Sequence, residues 1–255
     1  MVSLFDKCNL DVNLDDRNNS LHCGESVTSE GRNVVSIDKL IPTLLNKSLS
    51  YPRNVYEELT KVFHQDDIHI KEAGISVDVL CLPPGLLGIE FVKTHIYFAP
   101  EDGKGSFSCM VEVQMGILTI IMQKNMPREE LEFGTRISEG VVIKLRVGEK
   151  MASPKGYHYN FVNTEEVPVV FLRIYKDKGN IDYSQLRREG GLAYYCIRKN
   201  ARQEIVQNPL YRSAPKIKTT NRHDLSRQAL EFIDDIALYT QLRAKTKMFL
   251  EMLYV

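Results

Sequence analysis

The residue best placed to do chemistry is His158, in the stretch VGEKMASPKGYHYNFVN at 147–163. Gly148, Pro154 and Gly156 crowd the segment before it and argue against a helix there; glycine and proline instead shape a hairpin between two strands. A histidine opening the second strand can turn its imidazole toward facing strands, where it can ligate a metal or take up a proton near neutral pH. The plainer reading is a loop histidine that holds nothing. His64 and His69 flank Gln65, Asp66 and Asp67 and read as a helix-end and a strand-surface residue. His22 beside Cys23 has no second pair with which to build a zinc site. Gly103 and Gly105 in EDGKGS read as a turn, because a phosphate-cradling loop needs a strand before it and a helix after it.

A chain of 255 residues can frame such a hairpin in one sizeable core with extensions. Residues 1–36 are polar and turn-rich, with DDRNNS and SEGRN, and predict an arm draped over the body. Two short helices are expected next. SIDKLIPTLLNK has Ser36 as its N-cap, and YPRNVYEELTKVFHQ has Pro52 near its start and Val55, Leu59, Val62 and Phe63 at helical spacing. From Asp67 the apolar period changes to alternation, broken at Gly74, Pro83, Pro84 and Gly85, and it continues through residue 207. Many short strands with turns between them and no intervening helices predict an antiparallel sandwich or barrel. After the basic linker RSAPKIKTTNRH, Leu225, Ala229, Phe232, Ile236 and Tyr239 form one stripe, which predicts a C-terminal amphipathic helix capped by Asp224 and broken near residue 245. The expected division is 1–66 for the arm and short helices, 67–212 for the barrel, and 213–255 for the linker and helix.

Composition narrows the partners. Lys and Arg total 33 and so do Asp and Glu, so no net basic field draws nucleic acid or an anionic membrane. Cys8, Cys23, Cys81, Cys109 and Cys196 are odd in number and widely spaced, which disfavours both a disulfide framework and a zinc knuckle. No signal-like or membrane-spanning run is present, so a reduced, cytoplasmic protein is expected.

The spacing of Gly148, Pro154, Gly156, His158 and Asn163 resembles the second motif of the cupin superfamily. EVPVVFLRIYKDKGNIDYSQLRREGGLAYYCIRKNARQEIVQNPLYR resembles the end of the cupin-type, mainly archaeal, glucose-6-phosphate isomerases: a Glu-x-Pro strand, Ile-Tyr, Asp-Tyr, a glycine turn and a closing Asn-Pro-aromatic-basic run. DVLCLPPGLLGIEFVKTH resembles that family's strand, proline-glycine turn and strand leading to its first metal histidine. The resemblance runs over about residues 8–212. It implies an all-β cupin jelly-roll barrel of the RmlC-like kind, with short N-terminal helices and a C-terminal helical extension. It further implies a homodimer that interconverts glucose 6-phosphate and fructose 6-phosphate, using one divalent metal (Zn, Fe, Mn or Ni) held by three histidines and a glutamate.

Carried over position by position, the resemblance puts His95 at the first metal histidine, Tyr97 at the second, Cys109 at the glutamate and His158 at the last histidine. Glu112 is an odd number of residues from Cys109 and so faces the other way on a strand. His95, Cys109 and His158 therefore form a candidate three-ligand metal set, beside the reading in which Cys109 is only a small buried side chain and no metal is held. His158 and Cys109 are the catalytic candidates. Lys155, Tyr175, Tyr183, Tyr97 and Thr94 are the ligand-binding candidates, Lys155 for an anionic group. Asp78 and Val92 replace threonines near the family's phosphate, and Val111 replaces a substrate tyrosine; a carboxylate there repels phosphate. Three functions follow: a divergent isomerase-family barrel holding a small polar or sugar-phosphate ligand, a barrel without catalysis that uses its C-terminal helix as a scaffold, or a cupin enzyme with another small substrate.

Overall fold

Residues alternate apolar and polar along a strand when its two faces meet different surroundings, and here nearly every central strand is covered on both. The computed structural model describes residues 1–4, 8–98, 105–126, 137–176, 184–234 and 236–253. Three N-terminal strands, β1 (Val2–Ser3), β2 (Val12–Asp15) and β3 (Ser20–Cys23), form a small sheet of their own. The chain continues with β4 (Val27–Ser36), helix α1 (Ile37–Leu40), a 3-10 turn (Ile41–Thr43), β5 (Asn54–His64), α2 (Ile68–Glu72) and β6 (Ile75–Leu82). Next come β7 (Leu86–Leu87), β8 (Glu90–Phe91), β9 (Tyr97–Phe98), β10 (Phe107–Met115), β11 (Ile117–Asn125) and β12 (Ile137–Arg146). They are followed by β13 (Lys150–Pro154), β14 (Tyr157–Asn163), β15 (Val169–Lys176), α3 (Ser184–Arg188), β16 (Tyr194–Lys199), β17 (Arg202–Gln207) and β18 (Lys218–Thr219). Three helices, α4 (Arg222–Ile233), α5 (Leu238–Ala244) and α6 (Thr246–Met252), complete the described chain.

A six-stranded sheet in the order β13-β10-β15-β6-β5-β4 faces a five-stranded sheet in the order β18-β12-β11-β14-β9, and the core between them is the barrel interior. Val111 and Val113 of β10, Phe171 of β15 and Phe161 of β14 meet there. The opposite face of the six-stranded sheet, with Val77, Val79, Met110, Leu172 and Ile174, is covered by the N-terminal sheet and the C-terminal helices. The opposite face of the five-stranded sheet is covered by β16 and its neighbours. This is the expected all-β cupin barrel, with the C-terminal helical extension in place.

Several boundaries differ from expectation. Residues 54–64, expected as helix, are strand β5, and with β4 they belong to the barrel sheet, which therefore begins well before residue 67. Lys61 adopts a left-handed backbone (φ 51°), so Leu59 and Val62, three apart, both pack outward in the same cluster; this is the spacing that imitates a helix. The arm at 1–36 is largely strand. Its β3 is tied to β5 where the Leu21 N–H donates to Glu57 Oε1 at 2.9 Å. The linker contributes β18, parallel to β12. The C-terminal stripe is three helices rather than one: the break expected near residue 245 falls at Lys245, and a second break follows Ile233. Of that stripe Ala229 and Tyr239 are buried, while Ile236 is exposed between helices. No described helix is long and apolar enough to cross a membrane.

The C-terminal helices are part of the core. Leu238, Tyr239, Leu242 and Phe249 are fully buried, and the Tyr239 hydroxyl donates to Asp67 Oδ2 at 2.7 Å. Glu112 faces them, as strand alternation requires, pairing with Lys150 at 3.2 Å and accepting the Leu238 N–H at 2.9 Å. Truncation after residue 213 is therefore expected to give insoluble chain, scored by the soluble fraction on expression. The milder Phe249→Ala should remain soluble and lose about 3–5 kcal/mol in urea unfolding, from lost transfer energy and the cavity left behind.

Candidate ligand site at the barrel mouth

One end of the barrel interior is apolar and the other is polar. On β15 the inward positions are Val169, Phe171, Arg173 and Tyr175, and on β6 they are Leu82, Leu80, Asp78 and Ser76, so the switch from apolar to polar falls between Phe171 and Arg173. Arg173 and Asp78 are cross-strand partners, joined at 2.7 Å, and Asp78 Oδ1 also accepts the Lys61 N–H at 3.1 Å. The guanidinium lies over the Tyr97 ring at 4.2 Å and the Tyr175 ring at 4.1 Å. Burial opposes its charge, but Asp78 beside it holds it protonated. The carboxylate that looked hostile to an anionic ligand is thus neutralised within the barrel.

The candidate metal ligands do not come together. His95 accepts or donates at Nδ1 with the Tyr56 hydroxyl at 2.5 Å, and its ring lies 4.3 Å from that of Tyr97. Burial, with Arg173 and Lys39 adding to it, pushes the His95 pKa down to about 3, so the imidazole is neutral. Cys109 Sγ lies 3.1 Å from the Tyr159 hydroxyl and 3.6 Å from Ser153 Oγ, inside the barrel. His158 faces away. Because Tyr157, Tyr159 and Phe161 take the inward positions of β14, the residue between them turns outward, where its ring stacks on Phe98 at 4.1 Å and its Nδ1 has no hydrogen-bond partner among the described residues. Burial pushes its pKa down to about 4.

The residue beside Cys109 and Tyr97 is therefore Tyr159, one position further along, with its ring 5.6 Å from that of Tyr97. Tyr97 and Tyr159 offer phenol oxygens beside Cys109 where the family presents imidazoles, a donor set that does not fit the family's divalent metal. No group of three His, Cys, Asp or Glu side chains that could hold a metal occurs among the described residues.

The remaining candidates divide. Tyr97 and Tyr175 face the interior, stacked on Arg173. Lys155 sits in the turn between β13 and β14, its N–H donating to Ser106 O at 3.1 Å. Thr94, expected to bind ligand, is buried, and its hydroxyl donates to His95 O at 2.8 Å and accepts the Phe161 N–H at 3.1 Å, so it fastens backbone instead. Tyr183 lies outside the described residues.

Motif spacing gives no sign of a cavity of about 460 Å³ beside β4 and β5, with Glu58, His95 and Asn33 in its lining and Lys39 and Arg187 as its cations. Asn33 Nδ2 donates to Glu58 Oε1 at 3.2 Å. Burial raises the Glu58 pKa, Arg173 draws it back and Asp78 adds to the rise. Reading VYEELT as strand would have placed Tyr56 and Glu58 on one face; the helical spacing hid them.

The profile of the family described as glucose-6-phosphate isomerase (GPI) matches residues 44–212, well over half of the chain. The chain belongs to this cupin-type glucose-6-phosphate isomerase family. Similar solved structures include the oxalate decarboxylase of Lactobacillus farciminis as its formate complex, at TM-score 0.33 and 13% identity over 48% of this chain and 29% of that one. The Drosophila melanogaster CENP-C cupin domain has TM-score 0.30 and 14% identity, over 46% of this chain and 67% of that one. An oxalate oxidase in complex with the substrate analogue glycolate has TM-score 0.32 and 13% identity, over 44% and 47%. The chain thus spans less than a third of the decarboxylase. Comparison with curated protein sequences gives no match.

Two outcomes follow from the geometry. Asp78→Asn leaves Arg173 buried without its counter-charge and should cost about 3–5 kcal/mol in urea unfolding, much of it recovered when Arg173→Met is added. His95 and His158 are harder to protonate folded than unfolded, where the value is 6.5, so the unfolded chain takes up the protons first. Their contribution is present above about pH 6.5 and is lost as pH falls toward 4. Unfolding at stepped pH should show a shallower acid loss for His95→Gln than for the parent, by roughly 1–2 kcal/mol at pH 4.5.

Proposed function

We propose that this cupin binds a phosphorylated sugar in the cavity beside β4, β5, α1 and α3, without the divalent metal of its family. The observation that carries this reading is the lining of the cavity: Lys39 and Arg187, neither in an ion pair among the described residues, stand with Glu58, His95 and Asn33. Its volume of about 460 Å³ suits a small molecule, since ligand pockets typically hold about 300–1,000 Å³. Two cations favour a phosphate, while a carboxyl, an amide and a neutral imidazole offer donors and acceptors to sugar hydroxyls. Val35, Ile96 and Leu186 add an apolar wall for the C–H face of the sugar. Family membership supplies the substrate class, an aldose or ketose 6-phosphate.

The scaffold reading fares worse on one particular: the C-terminal helices it would use for a partner have their apolar side against the protein's own sheet. Calorimetric titration with glucose 6-phosphate tests the proposal. Binding is expected with a chelator present. It should weaken about tenfold in Lys39→Ala or Arg187→Ala, since one charge-assisted hydrogen bond is worth about 1.5–3 kcal/mol less its solvent screening. Unphosphorylated glucose should bind far more weakly. Equal affinity for glucose and glucose 6-phosphate, or no binding of either, would overturn it.

A further inference from the structure

Resting on that reading of the cavity, we propose that Glu58 is the base that moves a proton between adjacent carbons of the bound sugar phosphate, with His95 serving its oxygens. Among the described residues, two inward carboxylates, Asp78 and Glu58, feel the charge of Arg173, and they differ in availability. Asp78 is bound by Arg173 at 2.7 Å and by the Lys61 N–H at 3.1 Å, and it does not line the cavity. Glu58 does line it, held by Asn33 at 3.2 Å. Cys109, the residue standing at the family's glutamate, is buried against Tyr159 and Ser153 and is not part of the lining. Glu58 therefore occupies, from a different strand, the role that position 109 has given up.

The surroundings suit the task. A general base works best when its pKa lies near the working pH, and burial moves Glu58 in that direction. His95 is neutral, so it can donate to an oxygen without becoming a fixed cation. With Nδ1 engaged by Tyr56, Nε2 is the nitrogen left to meet the ligand.

The step balances without a metal or redox partner. The Glu58 carboxylate takes the proton from C2 of the open-chain aldose, and that C–H electron pair forms the C1–C2 double bond as the carbonyl pair moves onto O1. The hydroxyl proton of O2 passes to O1 within the cis-enediolate while His95 Nε2–H donates a hydrogen bond to these oxygens. The Glu58 carboxyl then returns its proton to C1, the double-bond pair forms the new C–H bond, and O2 becomes the ketose carbonyl.

The test follows exchange in heavy water by proton NMR, with fructose 6-phosphate and chelator, beside calorimetric binding of the same compound. The parent protein should bind it and introduce deuterium at C1. Glu58→Gln should keep binding and slow exchange about 10²–10⁴-fold, and Glu58→Asp should restore part of it. Thermal unfolding of each variant checks that the fold is intact, and Asn33→Ala, which frees the carboxyl without removing it, serves as a second variant expected to slow exchange less than Glu58→Gln. Binding by the parent without exchange, or exchange unaltered in Glu58→Gln, overturns the role of Glu58 and leaves the binding site standing. Failure of the parent to bind overturns the binding site and the inference together.

Discussion

The pair of Arg173 and Asp78 is the constraint around which the polar end of the barrel is organised. An unpaired guanidinium in such a place costs several kcal/mol, so everything around it serves to keep it paired and shielded. Asp78 meets it from the neighbouring strand at 2.7 Å, and two tyrosine rings cover it at 4.2 and 4.1 Å. Tyr97 in turn packs on Tyr159 and on His95, and His95 meets Tyr56. Aromatic rings fill the space between Arg173 and the facing sheet, and the cavity lies toward β4, β5, α1 and α3 rather than centred on Cys109.

Holding this arrangement requires strand register, and register depends on what covers the outside. The six-stranded sheet would expose Val77, Val79, Leu172 and Ile174 without the C-terminal helices and the N-terminal sheet. A slip of one residue in β15 would carry Arg173 outward and Leu172 inward, exchanging a paired charge for an unpaired one. The cover is itself pinned by polar contacts: Glu112 to Lys150 and Leu238, Asp67 to Tyr239 and Arg243, and Glu57 to Leu21. The outer layers thus set the inner chemistry, by fixing which residue of each pair faces in.

The hairpin, the alternating strands and the closing tail of the barrel were legible because they depend on local spacing. Gly148 and Gly156 both take φ of +81°, and the Asn163 side chain donates to Leu82 O and Val167 O at 2.9 Å, as a turn-and-strand motif should. The site was less legible for a reason of the same kind. A strand repeats every two residues, so a motif matched to within one residue assigns the fold correctly and the facing side chain wrongly. That single step exchanges His158 for Tyr159. At β5 the left-handed Lys61 brings Leu59 and Val62 to one side, and the apolar positions then carry a helical period that the backbone does not have.

These two departures are linked by one rule of strand geometry. On β14 the inward parity belongs to aromatic residues, which fill the volume beside Cys109 and turn the His158 imidazole away from it. On β5 the inward parity belongs to Tyr56 and Glu58, which carry a hydroxyl and a carboxyl into the part of the interior that remains open. A metal site needs several donors converging on one point within a fraction of an ångström, and losing inward parity at one of them is enough to dissolve it. A cavity with dispersed charges tolerates such changes, because phosphate and hydroxyl groups can be met from different walls. Inward parity on two strands thus decides both which donors surround Cys109 and which side chains line the cavity beside β4 and β5.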